Sequence, residues 1–123
     1  NKAVKNFFKY LGEVIEIKNE RLSHKFWATA SIMAAYYEIL NISSNWLIKK
    51  GINKSTANNY IAELFLSLSQ DAVNKKSQGF KKLVADSQTP KGLNMQVLNE
   101  LKKGKFYSKF IKAMDNINRR VSN

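Results

Sequence analysis

The 123-residue chain has no cysteine, one histidine, one proline and five glycines. Without cysteine there is no disulfide, no thiolate nucleophile and no zinc–thiolate site, a composition compatible with a cytoplasmic protein. A lone histidine, His24, and nine scattered acidic residues give no grouping with metal-ligand spacing. His24 is also the one side chain suited to general-base work at neutral pH. No partner accompanies it, so it reads as a surface residue near a helix start. Long apolar runs are scarce as well. The longest uncharged stretch, Phe26 to Tyr37, is too short to span a bilayer and includes Thr29 and Ser31, so no membrane partner is expected. No Gly-x-Gly-x-x-Gly turn occurs, so the chain lacks a pyrophosphate-binding fingerprint of its own.

Positive charge, by contrast, is abundant. Lys and Arg total 21 against nine Asp and Glu, a net charge of +12. Gathered on one face, such charge would release counterions from a nucleic-acid backbone. Here it is dispersed over the polar sides of helical segments, as at Lys49–Lys50, Lys75–Lys76, Lys81–Lys82 and Lys102–Lys103, and reads as a solvated basic surface. The length suits one domain with a core of its own.

Along the chain, Val4, Phe7, Phe8 and Leu11 form a helical stripe that Gly12 caps, and Glu13–Ile17 reads as a short strand. A lone strand is not stable, and the chain enters this amphipathic segment at Asn1 without a methionine. Residues 1–19 are therefore expected to be the last α–β unit of a preceding domain, and residues 20–123 a helical domain. Phe26–Leu40 is apolar nearly all round and predicts a helix covered on most sides, with Ala28, Ala30, Ser31, Ala34 and Ala35 allowing close approach of another helix. Too few other helices remain to cover it, which favours a subunit interface. Asn41–Asn45 is expected to bend this helix before Trp46–Ile48 carry it to a stop at Gly51. Asn53 or Ser55 then caps a helix whose stripe Ala57, Tyr60, Ile61, Leu64, Phe65, Leu68 and Ala72 faces the core. Ser77–Ala85 is a shorter helix with Phe80, Leu83 and Val84 inward, and Phe106, Phe110, Ile111, Met114 and Ile117 define the last one.

Two segments carry candidate functions. Trp46–Ile61 has two helical halves around a glycine and imitates a helix-turn-helix, which would offer Lys54, Ser55, Asn58 and Asn59 to base edges. Only Lys54 is basic in that second helix, so a small DNA-binding protein is the alternative reading. The other segment holds the sole proline. Pro90 ends the preceding helix by about Gln88, Gly92 permits close approach of the backbone, and Leu93, Val97, Leu98 and Leu101 line one face of a helix that stops at Gly104. The amides of Gly92, Leu93, Asn94 and Met95 then open from a helix N-terminus, which suits a carboxylate or phosphate.

The order of these elements resembles the C-terminal, all-helical dimerisation domain of the pyrroline-5-carboxylate reductase family. Leu11-Gly12 and the Glu13–Ile17 strand look like the end of that family's nucleotide-binding domain. Thr29–Ala35 stands where the family has Ser-Gly-x-Gly-Pro-Ala-Tyr, with Ser31 and Ala34 matching. Lys50-Gly51-Ile52 is similar to a Gly-Leu-Pro turn, and Thr89-Pro90-Lys91-Gly92-Leu93-Asn94 is similar to Ser-Pro-Gly-Gly-Thr-Thr.

The resemblance implies an all-α domain of the 6-phosphogluconate dehydrogenase C-terminal-like type, preceded by one residual helix–strand unit. It also implies a homodimer, or a higher oligomer, intertwined around Phe26–Leu40. The parent protein would be an NAD(P)H-dependent reductase of proline-biosynthesis type acting on a cyclic imino acid, with NADP or NAD bound mainly by the absent N-terminal domain. Carried over by position, Thr89, Lys91, Gly92, Leu93 and Asn94 border the substrate and no catalytic acid or base falls in this chain. Lys91 departs from the family's first glycine, and Asn94 stands where the last threonine is expected.

Overall fold

The computed structural model describes residues 20–122, and the helix and strand expected within residues 1–19 lie outside them. The described residues form six α-helices: α1 (Glu20–Ala30), α2 (Met33–Lys49), α3 (Lys54–Asn74), α4 (Phe80–Asp86), α5 (Leu93–Lys103) and α6 (Phe106–Ser122). A 3₁₀ turn at Lys76–Gln78 separates α3 from α4, and there is no strand among them. The chain divides into two compact units, residues 34–104 and a second that includes residues 20–33 and 105–122.

In the second unit α1 packs against α6. Ser23 and Ala28 are buried and Trp27 is half-buried on α1, while Met114 and Ile117 are half-buried on α6. Those positions follow the helical period that places i, i+3 and i+4 on one face.

The apolar stretch Phe26–Leu40, expected as one helix, is broken at Ser31–Ile32. At the break Thr29 Oγ1 donates to the Phe26 carbonyl at 2.9 Å and Ser31 Oγ to the Trp27 carbonyl at 2.7 Å. The Ser31 amide also keeps its bond to the Trp27 carbonyl at 3.1 Å, and the helical pattern stops there. Helix α2 runs unbroken through Asn41–Asn45. There Ser43 Oγ bonds back to the Ile39 carbonyl at 2.7 Å, and Ser44 is drawn into a tertiary contact.

Helix α2 ends in a Schellman motif. The Ile52 amide reaches the Leu47 carbonyl and the Gly51 amide that of Ile48, each at 3.0 Å, with Gly51 at φ +98°. Asn53 then caps α3, its Oδ1 accepting from the amides of Ser55 at 2.9 Å and Thr56 at 3.4 Å. The two helices are held together by three features. Ser44 Oγ donates to Asn58 Oδ1 at 2.5 Å. Tyr36 meets the Phe65 ring edge-on, centroids 6.0 Å apart. Ala57 is fully buried, and Ile61 is buried one turn further on.

The α3 stripe is only half covered. Phe65 and Ala72 are half-buried beside Ala57 and Ile61, but Tyr60, Leu64 and Leu68, expected inward, are exposed. Past the 3₁₀ turn, Gly79 takes φ +89° and α4 begins at Phe80, later than the expected Ser77. Leu83 is half-buried as expected, whereas Phe80 and Val84 are exposed. The surface ion pairs Lys75–Asp71 and Lys82–Asp86 join residues one turn apart and contribute little in water.

Replacing Asn53 by Ala removes the acceptor for two first-turn amides and is expected to cost about 1 kcal/mol of stability, read as a lower urea midpoint.

Candidate functional site

Helix α4 closes through four hydrogen bonds that also fix the start of the Pro90 turn. Ser87 N donates to the Leu83 carbonyl, Gln88 N to that of Ala85, and both Ser87 Oγ and Gln88 Nε2 donate to Val84 O at 2.9 Å. The Gly92 amide then donates to the Thr89 carbonyl at 2.8 Å, which closes a four-residue turn over Thr89-Pro90-Lys91-Gly92. Proline at the second position and a positive φ of 60° at the third, Lys91, give this turn the type II pattern.

Two consequences concern the expected site residues. The Gly92 amide is consumed by the turn and does not join an anion seat. The close approach that Gly92 permits is that of Thr89: a Cβ built there would meet Thr89 Oγ1 and lie 2.9 Å from the Thr89 carbonyl oxygen. Thr89 and Gly92 are thus held together inside the turn, and neither is free to move toward a ligand alone.

Lys91 sits in a conformation that L-residues adopt at a cost, at the place where the resembling motif has glycine. Its exposed ammonium has the reach of a four-carbon stem. Helix α5 starts from Gly92, which has no side chain to cap it. The amides of Leu93, Asn94 and Met95 have no acceptor within their own helix. Asn94 is exposed and its carboxamide has no partner among the described residues. Leu93 is 83% exposed, the most exposed large apolar side chain described. The expected site is therefore one turn and one helix start, with Lys91, Leu93 and Asn94 displayed and Thr89 and Gly92 shaping the backbone.

The helix-turn-helix imitation resolves differently. Asn58, a candidate base reader, accepts from Ser44 and so ties α3 to α2. Lys54 lines a groove of about 450 Å³ shared with Tyr37, Asn41, Asn45 and Asn58. A second groove of about 450 Å³ is lined by Ile42, Ser43, Trp46, Leu47, Tyr60 and Ile61. Lys50 Nζ stands 5.4 Å from the Trp46 ring centroid at a cation–π distance. This apolar groove was missed in the sequence, although Ile42 and Trp46 stand one turn apart there.

Among the described residues there is no group of three or more His, Cys, Asp and Glu able to hold a metal ion, and no helix long and apolar enough to cross a membrane. Among the described residues no strand leads into a glycine-rich turn.

The described residues form an all-α domain that leaves many large apolar side chains exposed. Residues 20–123 match the family model described as pyrroline-5-carboxylate reductase dimerisation. The chain belongs to that family and is a dimerisation domain of a pyrroline-5-carboxylate reductase-like enzyme. No curated protein and no solved structure matches it.

Lys91→Gly relieves the left-handed strain and is expected to stabilise the protein by up to about 1 kcal/mol, whereas Gly92→Ala forces Thr89 aside and is expected to lower the urea midpoint. If instead Lys91→Gly destabilises, the Lys91 side chain makes a contact that outweighs its backbone strain.

Proposed function

We propose that residues 20–123 form the dimerisation and substrate-binding half of an NAD(P)H-dependent imine reductase, and that residues 1–19 are the end of a nucleotide-binding domain. The family match over residues 20–123 carries this reading. The turn from Thr89 to Gly92, held as a type II turn before an uncapped helix, supports it. The substrate is a cyclic imino acid. Its carboxylate is seated by the first-turn amides of α5, assisted by the Lys91 ammonium. The Asn94 carboxamide both donates and accepts, so it suits an imine nitrogen in either protonation state. Thr89 and Gly92 hold the turn, and Leu93 gives one apolar border.

The cofactor, NADPH or NADH held mainly by the nucleotide-binding domain, supplies the hydride. This chain contributes positioning, and by itself it does not turn over. Two copies associate through their uncovered apolar faces.

Three measurements test the proposal. Coding DNA upstream of Asn1 is expected to hold an open frame with a strand followed by Gly-x-Gly-x-x-Gly. In the full-length protein Asn94→Ala is expected to raise KM for the imino acid about tenfold, the loss of one hydrogen bond to a polar substrate, without changing the dimer. Light scattering at micromolar concentration should give twice the protomer mass; a monomer would count against the dimer.

A further inference from the structure

Helix α6 has two sides of different chemistry. Phe106, Phe110, Met114, Ile117 and Val121 recur at intervals of three and four residues, and α1 packs against this helix, with Met114 and Ile117 half-buried. Lys109, Lys112, Asn116 and Arg119 recur at the same intervals on another side, with Lys105 one turn ahead of them and Arg120 next to the last. All six are exposed. Cations that are dispersed over the rest of the chain are aligned here, five of them against the single acid Asp115 over residues 105–122.

The fold gains little from this alignment. Like charges three and four residues apart weaken a helix, and Lys105 and Lys109 stand at its N-terminal end, where the dipole disfavours cations. In α3 and α4, exposed lysines take an acid one turn away, as Lys75 does with Asp71 and Lys82 with Asp86. On α6 no such pair forms among the described residues, although Asp115 stands four residues before Arg119. Arg119 Nη2 donates to Asn116 Oδ1 instead.

We infer that this side of α6 binds the phosphate backbone of duplex DNA without reading its sequence. The inference is independent of the reductase reading. From Lys105 to Arg120 the row runs about 22 Å at about 1.5 Å per residue, a length over which one DNA strand presents about six phosphates. Five cations in line suit a linear polyanion better than an acidic protein patch, whose carboxylates are separated by other groups. A lipid surface would call on the apolar side of an amphipathic helix, and on α6 that side is already engaged by α1. B-form DNA opens a major groove wide enough for an α-helix, whereas that of duplex RNA is deep and narrow. Asn116, the one carboxamide in the row, already accepts from Arg119, so the contacts fall on phosphates and not on base edges.

The test is fluorescence anisotropy of a labelled DNA duplex of mixed sequence, about 20 base pairs long, titrated with the full-length protein between about 50 and 200 mM NaCl. The logarithm of the association constant is expected to fall against that of salt with a slope of about −4.5, or about −0.9 for each cation of the row. Lys109→Gln with Lys112→Gln is expected to reduce the slope to about −2.7. Lys49→Gln with Lys81→Gln removes the same charge from exposed lysines outside the row and is expected to leave the slope as it was. Circular dichroism checks the helicity of each variant. No binding at the lowest salt overturns the inference, and so does an equal change of slope in the two double variants, which would reduce the effect to net charge. Duplex RNA of the same length bound as tightly overturns the choice of DNA. Binding to phosphatidylserine vesicles with none to the duplex overturns it in favour of a lipid surface.

Discussion

The constraint behind most of the structure is a shortage of internal cover. Along α3 the apolar residues occupy more of the circumference than α2 shields. Ala57 and Ile61 go inside, and Tyr60, Leu64 and Leu68 stay in solvent. Water disfavours that arrangement in proportion to the apolar area left wet, so burial of these faces against a partner is favourable. Membership of a dimerisation family gives that cover a source. Local order, meanwhile, comes from short-range devices: the Schellman stop at Gly51, the Asn53 cap and the bonds that end α4 at Val84. Such devices fix where helices begin and end without any core.

The same economy shapes the Pro90 turn. Proline sets the first central residue, the Gly92 amide closes the ring onto Thr89, and absence of a Cβ at 92 lets Thr89 fold over it. The third position favours glycine, but the chain has Lys91 there at φ 60°. A left-handed lysine costs of the order of 1 kcal/mol, so the turn is held by its neighbours and not by that residue's preference. In exchange the loop displays a cation beside a helix start whose amides have no side-chain cap. For a ligand with a carboxylate, those two features act in the same direction.

Charge and apolar surface compete over association. A protomer at +12 repels its copy at long range, while screening in physiological salt confines that repulsion to about 8 Å. Contact therefore depends on what faces what within that distance. The Lys54 groove also holds Leu40, Ile48 and Ile61, and the Trp46 groove has Lys50 over its ring, so each joins apolar surface to a cation.

Most boundaries and the family were legible in the sequence because they rest on local patterns: Gly51 and Asn53 as stop and cap, Pro90 as a break, Leu93 to Leu101 as a stripe. Where hydroxyls and amides choose between local and tertiary partners, sequence reading failed. Thr29, Ser31 and Ser43 turn back on their own helices, while Ser44 reaches across to Asn58. The same residue types stand in both places. Local sequence pattern was enough for an all-α domain over residues 20–123 and for a turn at Thr89–Gly92 before a helix. Only the packing of one helix on another settled that Tyr60 and Leu64 face solvent in the protomer and that Trp46 lines a groove without a charged lining residue. The reason is geometric: periodicity tells which residues share a face, but only the packing of one helix on another determines which part of that face is covered.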